Sequence, residues 1–204
     1  MARRTRGTAA GLDRARITTT AVTLIDRDGL DRFGVRRLAD DLGVDPMSIY
    51  HHIKGKAALL DAVSESVLAE VTVDASSADW VAIARHTAHG YREMAYRHPR
   101  VFPLLATRAQ TSPVALAALE HLTTAMREAG IPDQVVADTP SILFGFLNGH
   151  LLARTREDAT PVPDFDPRTH PTMTALAPNL TDFGSTEEFD RMLDTVLKGI
   201  AQAG

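Results

Sequence analysis

The stretch VRRLADDLGVDPMSIYHHIKGK, residues 35–56, decides the fold of this chain. Its apolar residues recur at the spacing of one helix face, first before Gly43 and again after Pro46. Gly43 ends the first of these helices, because glycine adopts a left-handed cap without steric strain. Asp45 is placed to cap the second helix, and Pro46 suits its first position. The pattern therefore predicts a helix-turn-helix, whose second helix enters a major groove of DNA.

Polar and cationic side chains on and beside these two helices are the predicted DNA contacts. Cations and hydroxyl groups suit phosphates, and Arg36 lies at the first helix's N-terminus, where free amides also meet phosphate. Met47 suits a thymine methyl group, whereas His51 suits a guanine acceptor. Tyr50 has a second interpretation, which is packing in the small core. The full predicted set is Arg36, Pro46, Met47, Ser48, Tyr50, His51, His52 and Lys56.

The run from residue 36 to residue 63 resembles the DNA-binding head of the TetR (tetracycline repressor) family. The resemblance is carried by Leu38-Ala39, Leu42-Gly43-Val44, Tyr50, Lys56 and the segment LLDAV that begins at Leu59. It implies that Arg36, Tyr50 and Lys56 contact DNA, as the matching family positions do. The position of Pro46 often holds a polar, base-reading residue in the family, and proline cannot make such a hydrogen bond with its side chain.

Helical periodicity extends over the whole chain, and no strand pattern is present. We therefore predict an all-α fold with an N-terminal three-helix head, residues 1–56, and a C-terminal helical domain for ligand binding and dimerisation, residues 57–204. The head includes a first helix over residues 12–28. Residues 1–11, with three clustered arginines, are predicted to form a flexible basic arm that follows a phosphate backbone or minor groove, or remains a solvated tail.

Five longer helices and one proline-rich loop are predicted in the C-terminal domain. Leu116 is predicted to point inward from the third of them, and a short helical turn is expected within the loop near residues 172–177. The predicted helices cover residues 56–73, 80–98, 114–129, 133–154 and 186–201, and the loop covers residues 155–185.

Charge is distributed unevenly along the chain, whose net charge is −4. Residues 1–56 contain eleven lysines and arginines against seven aspartates and glutamates, whereas the remainder contains eleven against nineteen. A basic head on an acidic body is expected of a DNA-binding module attached to a body that does not bind DNA.

Composition also limits the cellular location and the side-chain chemistry that can be expected of this protein. The chain has no cysteine, which excludes disulfides, thiol catalysis and cysteine-ligated zinc, and suits a reducing cytoplasm. No apolar run approaches the ~20 residues that span a bilayer, and the basic start lacks the apolar core of a secretory signal. We expect a cytoplasmic protein without a membrane partner.

No catalytic arrangement stands out, because the chain lacks a glycine-rich phosphate loop, a nucleophile elbow and an HExxH motif. His86 and His89 lie three residues apart on a predicted helix, but no third ligand accompanies them, so no metal site is predicted. His150 is interpreted first as a core residue and second as a ligand contact. We predict no enzymatic activity and no cofactor.

Two further sites are predicted in the C-terminal domain. A mostly apolar effector pocket with a few polar points is expected from successive helices, and a four-helix bundle of two helices from each subunit is expected to form a homodimer. The predicted effector contacts are Thr87, Tyr91, Leu105, Met126, Asn148 and Leu152. The predicted dimer contacts are Phe144, Leu151, Phe189, Leu193, Val196 and Ile200.

The resemblance also bears on the effector. The positions that hold tetracycline and its magnesium ion in the family's namesake are Thr72, Leu105, Thr87, Tyr91, Gly145 and Ala153 here. Only Tyr91 retains an aromatic group, so tetracycline–magnesium is not expected as the ligand.

The sequence thus predicts a ligand-responsive transcription regulator, most simply a repressor that a small, largely apolar molecule releases from a palindromic operator. One alternative is a constitutive dimeric DNA-binding protein without a ligand. Another is an all-α enzyme that contains an accidental helix-turn-helix.

Overall fold

The structure, a computed structural model, describes residues 11–72, 76–108, 111–156 and 164–203. Over these residues the chain forms ten α-helices, two short 3₁₀-helices and no strand. The all-α fold predicted from the sequence is therefore confirmed. The predicted basic arm falls almost entirely outside the described residues.

The first three helices are α1 (Arg14–Asp28), α2 (Val35–Leu42) and α3 (Pro46–His52). The Asp13 carboxylate caps α1 by accepting a hydrogen bond from the Arg16 backbone N–H at 2.7 Å. The three helices share a small core of fully or nearly fully buried side chains, each of which contributes roughly 1.5–3 kcal/mol when buried. These are Ile17, Leu24, Ile25, Phe33, Leu38, Leu42, Ile49 and Ile53.

The next helices are α4 (Gly55–Leu68), α5 (Trp80–Arg97) and α6 (Phe102–Ala106). The prediction that α4 continues to residue 73 is wrong, because the helix ends at Leu68. Beyond that end, Glu70 pairs with Arg97 and His98. Asp79 caps α5, since its carboxylate accepts a hydrogen bond from the Val81 backbone N–H at 2.9 Å.

The remaining helices are α7 (Pro113–Glu128), α8 (Asp133–Arg154), α9 (Pro171–Leu176) and α10 (Thr186–Gln202). The short helix α9 lies where a turn was expected in the proline-rich loop. The prediction that Leu116 points inward is wrong, since 52% of this residue is exposed. Periodicity identifies the apolar side of a helix but does not establish that a neighbour covers its first turn.

The helices group into two compact units. The described residues within Met1–Thr72 and Glu93–Ala117 form the first unit, and those within Val73–Arg92 and Ala118–Gly204 form the second. The first unit thus contains the helix-turn-helix together with α4, the end of α5, α6 and the start of α7. These units describe how the chain packs, and the division after residue 56 stays a prediction about the domains.

Candidate DNA-binding surface and effector site

The turn between α2 and α3 has the geometry that the sequence predicts. Gly43 adopts a left-handed conformation with φ of 69°, which costs a glycine no Cβ clash. The Asp45 carboxylate accepts a hydrogen bond from the Met47 backbone N–H at 2.8 Å. Ile49 and Ile53 are both 1% exposed, so α3 is fixed to the core by its inner face. Its orientation is therefore set by residues other than those that face solvent.

The outer face of α3 presents the predicted contact residues to solvent. Met47 is 62% exposed, and His51 and His52 are also exposed. The remaining members on this helix, Pro46, Ser48 and Tyr50, are half-buried. Tyr50 is therefore placed to contribute to both the core and the surface, which keeps open both interpretations of this residue.

The cations around α3 divide into paired and unpaired groups. Arg36 and Lys56 are exposed, and neither makes a hydrogen bond or ion pair with another described residue. Arg37 instead pairs with Asp28 at 3.0 Å, and Arg27 pairs with Asp28 at 2.8 Å. The hydrogen bond from Arg27 lowers the pKa of Asp28 below its ordinary value. Adjacent arginines thus differ in role, because Arg37 braces α2 against α1 while the charge of Arg36 is available to a ligand.

The segment after α5 is tied to the ends of α1 and α4 within the first unit. The His98 Nδ1 atom lies 2.6 Å from the Asp26 carboxylate, and its Nε2 atom lies 3.1 Å from the Glu70 carboxylate. Arg100 donates to the Arg27 backbone carbonyl at 2.5 Å. Local sequence patterns do not indicate these contacts, because their partners are 28 to 73 residues apart in the chain.

The structure brings two of the predicted effector residues, Tyr91 and Asn148, into direct contact. The Tyr91 hydroxyl donates to the Asn148 side-chain carbonyl at 2.9 Å. The Tyr91 ring also meets Phe144 edge to face, with 5.4 Å between ring centroids. Burial raises the pKa of the Tyr91 phenol, so the group remains a neutral hydroxyl. The pair forms a polar point in apolar surroundings, as a small-molecule site requires.

The other predicted effector residues differ in their environments. Thr87 lies on the same helix face as Tyr91 and is 9% exposed, whereas Met126 is fully buried. Leu152 is half-buried on α8. Leu105 is 1% exposed and belongs to the first unit, unlike the other five.

His150 lies among aromatic rings in the second unit. Its ring centroid is 5.4 Å from those of Phe146 and Phe189, and the residue is 7% exposed. Burial lowers the pKa of His150 to about 4, and the nearby Arg154 adds to this shift while Glu188 opposes it. His150 is therefore neutral at pH 7, which agrees with its first interpretation as a core residue.

A buried ion pair joins α8 to the start of α10. Arg154 donates to both carboxylate oxygens of Glu188, from Nε at 2.8 Å and from Nη2 at 2.5 Å. Glu188 also accepts a hydrogen bond from the Gly184 backbone N–H at 2.8 Å. The bond from Arg154 lowers the pKa of Glu188 despite its burial. The local sequence pattern does not indicate this pair, because its partners lie 34 residues apart in the chain.

The histidines considered for a metal have other environments. His89 lies 2.8 Å from the Asp190 carboxylate and packs edge to face against Phe189. Among the described residues no three histidine, cysteine, aspartate or glutamate side chains are grouped to hold a metal ion. In the part of the chain that the structure describes, no helix combines the length and hydropathy needed to cross a bilayer.

Comparison with known proteins places the chain in a family. Residues 17–63 match the family model described as bacterial regulatory proteins, tetR family, and residues 74–203 match the model described as tetracyclin repressor-like, C-terminal domain. The chain therefore belongs to the TetR family, and the resemblance read from the sequence is confirmed. Members of this family are DNA-binding transcription factors rather than enzymes.

Two curated relatives and one solved structure show the extent of the similarity. The HTH-type transcriptional repressor DrrR1 of Streptomyces coeruleorubidus is 30% identical over 72% of this chain, and an HTH-type transcriptional regulator of Saccharopolyspora erythraea is 32% identical over 71%. The matches span 55% and 61% of the length of these relatives. The TetR family protein ActR of Streptomyces coelicolor, in complex with (S)-DNPA, is 26% identical with a TM-score of 0.81, covering 96% of this chain and 100% of that one.

Proposed function

We propose that this protein is a cytoplasmic, homodimeric repressor that binds a palindromic operator and is released by a small, largely apolar molecule. The observation that carries the proposal is the arrangement of α3, which buries Ile49 and Ile53 and presents Met47 and His51 to solvent. A helix fixed by its inner face and free on its outer face suits insertion into a major groove.

The DNA contacts divide by chemistry. Arg36 and Lys56 bind phosphates, because each carries an exposed cation that no described residue neutralises. Ser48 and Tyr50 donate hydroxyl groups to phosphates beside them. Met47, His51 and His52 are the exposed side chains of α3 and meet base edges, while Pro46 offers only apolar contact.

The dimer is formed by the outer faces of α8 and α10. These helices pack against each other within one chain, and Leu151, Phe189, Leu193 and Ile200 are at most 3% exposed there. Their side chains belong to the core of the unit and have no surface left for a partner. The interface is therefore built from more exposed apolar residues on the same helices, which are Ile142, Phe144, Phe146, Met192 and Val196.

Ile142 allows the interface to be tested, because 47% of this residue is exposed in the single chain. A charge at this position is tolerated by the monomer but is costly once a partner covers it. We expect Ile142→Glu to sediment as a folded monomer with little affinity for operator. Leu116→Glu, at a similarly exposed apolar residue on α7, is the matched control and should remain dimeric.

The effector binds in the second unit beside Tyr91 and Asn148. Tyr91 donates its hydroxyl hydrogen to the Asn148 side-chain oxygen, and this polar pair suits one polar atom of a ligand. The aromatic ring of Phe144 and the apolar side chains of α8 suit a ligand that is otherwise apolar. The complex of ActR with (S)-DNPA supports ligand binding in a protein of this fold.

A route from effector to DNA follows from the course of α5. This helix carries Tyr91 in the second unit and continues to Arg97 in the first, immediately before His98. His98 contacts Asp26 at the end of α1 and Glu70 beyond the end of α4. A ligand that favours one conformation of α5 over another shifts the equilibrium between states that differ in affinity for DNA, to the extent of its differential affinity for the two states.

One experiment tests the proposal in two stages. Selection of bound duplexes from a random pool should return a palindrome with half-sites centred about 34–36 Å apart, as a two-fold dimer requires. Compounds that raise the thermal unfolding midpoint are then tested for operator release, with Tyr91→Phe as the variant that keeps operator binding and responds less. If every stabilising compound leaves operator affinity unchanged, the protein is a constitutive DNA-binding protein. If no DNA is enriched, the proposal fails altogether.

A further inference from the structure

A polar cleft in the first unit shares no residue with the predicted DNA contacts or the predicted effector contacts. It is lined by residues of α4 and by residues around the start of α7, and its volume is about 170 Å³. A cavity of about 150 Å³ accommodates benzene, so this cleft accepts a molecule of roughly six to eight non-hydrogen atoms. Its size therefore suits a small metabolite rather than a polymer.

Ser64 is the feature of the cleft that points to a ligand. The residue lines the cleft and is only 4% exposed, and its hydroxyl oxygen has no hydrogen-bond partner among the described residues. Hydroxyl groups within helices commonly donate to a carbonyl one turn earlier, as Thr20 does to Arg16 at 2.8 Å. Ser64 does not, although an unpaired buried hydroxyl destabilises the fold. Its hydrogen-bonding capacity is thus left for a molecule in the cleft.

The charges of the lining define the chemistry of that molecule. Asp61 and Glu65 lie one turn apart on α4 and both line the cleft, opposite a single guanidinium from Arg108. Arg108 pairs with Asp61, and Arg14 approaches Glu65 at 3.5 Å. Each carboxylate accepts up to about four hydrogen bonds, so both retain capacity after these pairs form. The lining itself holds two carboxylates and one guanidinium, so its carboxylates outnumber its cations, and an occupant should therefore bring a positive charge with several donors.

We propose that this cleft is a second ligand site, which binds a small primary amine that also carries a hydroxyl group. The ammonium group lies between Asp61 and Glu65, where its three donors meet carboxylate oxygens. The hydroxyl group exchanges a hydrogen bond with Ser64. The Ser112 hydroxyl, which caps α7 by accepting from the Ala115 backbone N–H at 3.2 Å, is a neighbouring polar contact.

The test is a titration of the full chain, followed by the backbone amide signals of α4 in NMR spectra. The probe is 4-aminobutan-1-ol, compared with butane-1,4-diol, which lacks the charge, and butylamine, which lacks the hydroxyl group. We expect saturable shifts with the amino alcohol, roughly tenfold weaker binding of the diol and roughly fivefold weaker binding of butylamine. Equal affinity for amino alcohol and diol, or no saturable shift, would overturn the proposal.

Ser64→Ala separates a binding role from a structural one. The variant loses one hydrogen bond to the probe, so its affinity for 4-aminobutan-1-ol should fall roughly fivefold. Its thermal midpoint without probe should stay the same or rise, since an unpaired buried hydroxyl has been removed. Ser66→Ala, on the same helix but outside the cleft, is the matched control and should change neither quantity. If Ser64→Ala binds the probe as tightly as the parent protein, the assignment is wrong.

Discussion

Histidines in two regions of this molecule have opposite environments. On α3, His51 is exposed and makes no hydrogen bond with another described residue, whereas on α8 His150 is 7% exposed and lies between Phe146 and Phe189. The first retains both ring nitrogens for a partner molecule, while burial of the second lowers its pKa to about 4. A surface that reads DNA needs unpaired polar groups, and the centre of a helical unit needs neutral or fully paired ones.

Breaking a buried ion pair in the interior of the second unit should have the largest effect on stability. Arg154→Met leaves the buried Glu188 carboxylate without its cation, and loss of one partner of a buried pair costs about 3–5 kcal/mol. We expect the free energy of unfolding in urea to fall by that amount. Arg191→Met breaks an exposed pair with Asp182 and should lower the free energy of unfolding far less, because solvent screens exposed ion pairs. Equal losses in the two variants would show that Glu188 is not held in a buried pair.

The second-largest effect should be on the pH dependence of stability, to which His150 contributes. Its folded pKa of about 4 lies below the unfolded value of about 6.5, so the unfolded chain binds the proton first as pH falls. The stability that neutral His150 contributes is fully present above pH ~6.5. It is lost between pH ~6.5 and pH ~4, and the total loss is about 3 kcal/mol. The free energy of unfolding, measured in urea at several pH values, should therefore fall less steeply with decreasing pH for His150→Phe than for the parent.

On the surface side, His51→Ala should alter which bases are preferred. Loss of one base-edge hydrogen bond changes discrimination at one base pair by about 1–3 kcal/mol. Selection of duplexes from a random pool by the variant should show relaxed preference at a single position in each half-site. His170→Ala, which lies outside the head, provides the control for selection itself. A preference identical to that of the parent would remove His51 from the base-reading set.

The smallest expected effect is on the salt dependence of DNA binding, which single cations of the head should change. Arg36→Ala and Lys56→Ala should each weaken binding to all duplexes alike and reduce the slope of log K against log salt by about 0.9, since each removes one phosphate contact. Arg37→Ala should change that slope less, because Arg37 is engaged with Asp28 in the folded head. Titrations at several salt concentrations measure the slopes. The same slope change at Arg36 and Arg37 would mean that the ion pair does not distinguish them.

The sequence by itself determined the helix-turn-helix, because its determinants act over a few residues. Gly43 sets the turn through its own backbone conformation. Asp45 caps α3 by accepting a hydrogen bond from the backbone N–H two residues later. Ile49 and Ile53 are buried because they lie four residues apart on one helix face. The exposure of the predicted contact residues follows from the same periodicity, so most of this candidate surface could be predicted from the sequence.

Tertiary structure alone decided which apolar faces are covered and which polar groups find partners. Periodicity predicted apolar faces for α7, α8 and α10, yet it did not distinguish the exposed Leu116 from the buried Leu193. The pairing of Tyr91 with Asn148 joins residues 57 positions apart, and that of Arg154 with Glu188 joins residues 34 apart. Local spacing defines the side of a helix on which a residue lies, whereas burial and pairing depend on the helix that packs against that side.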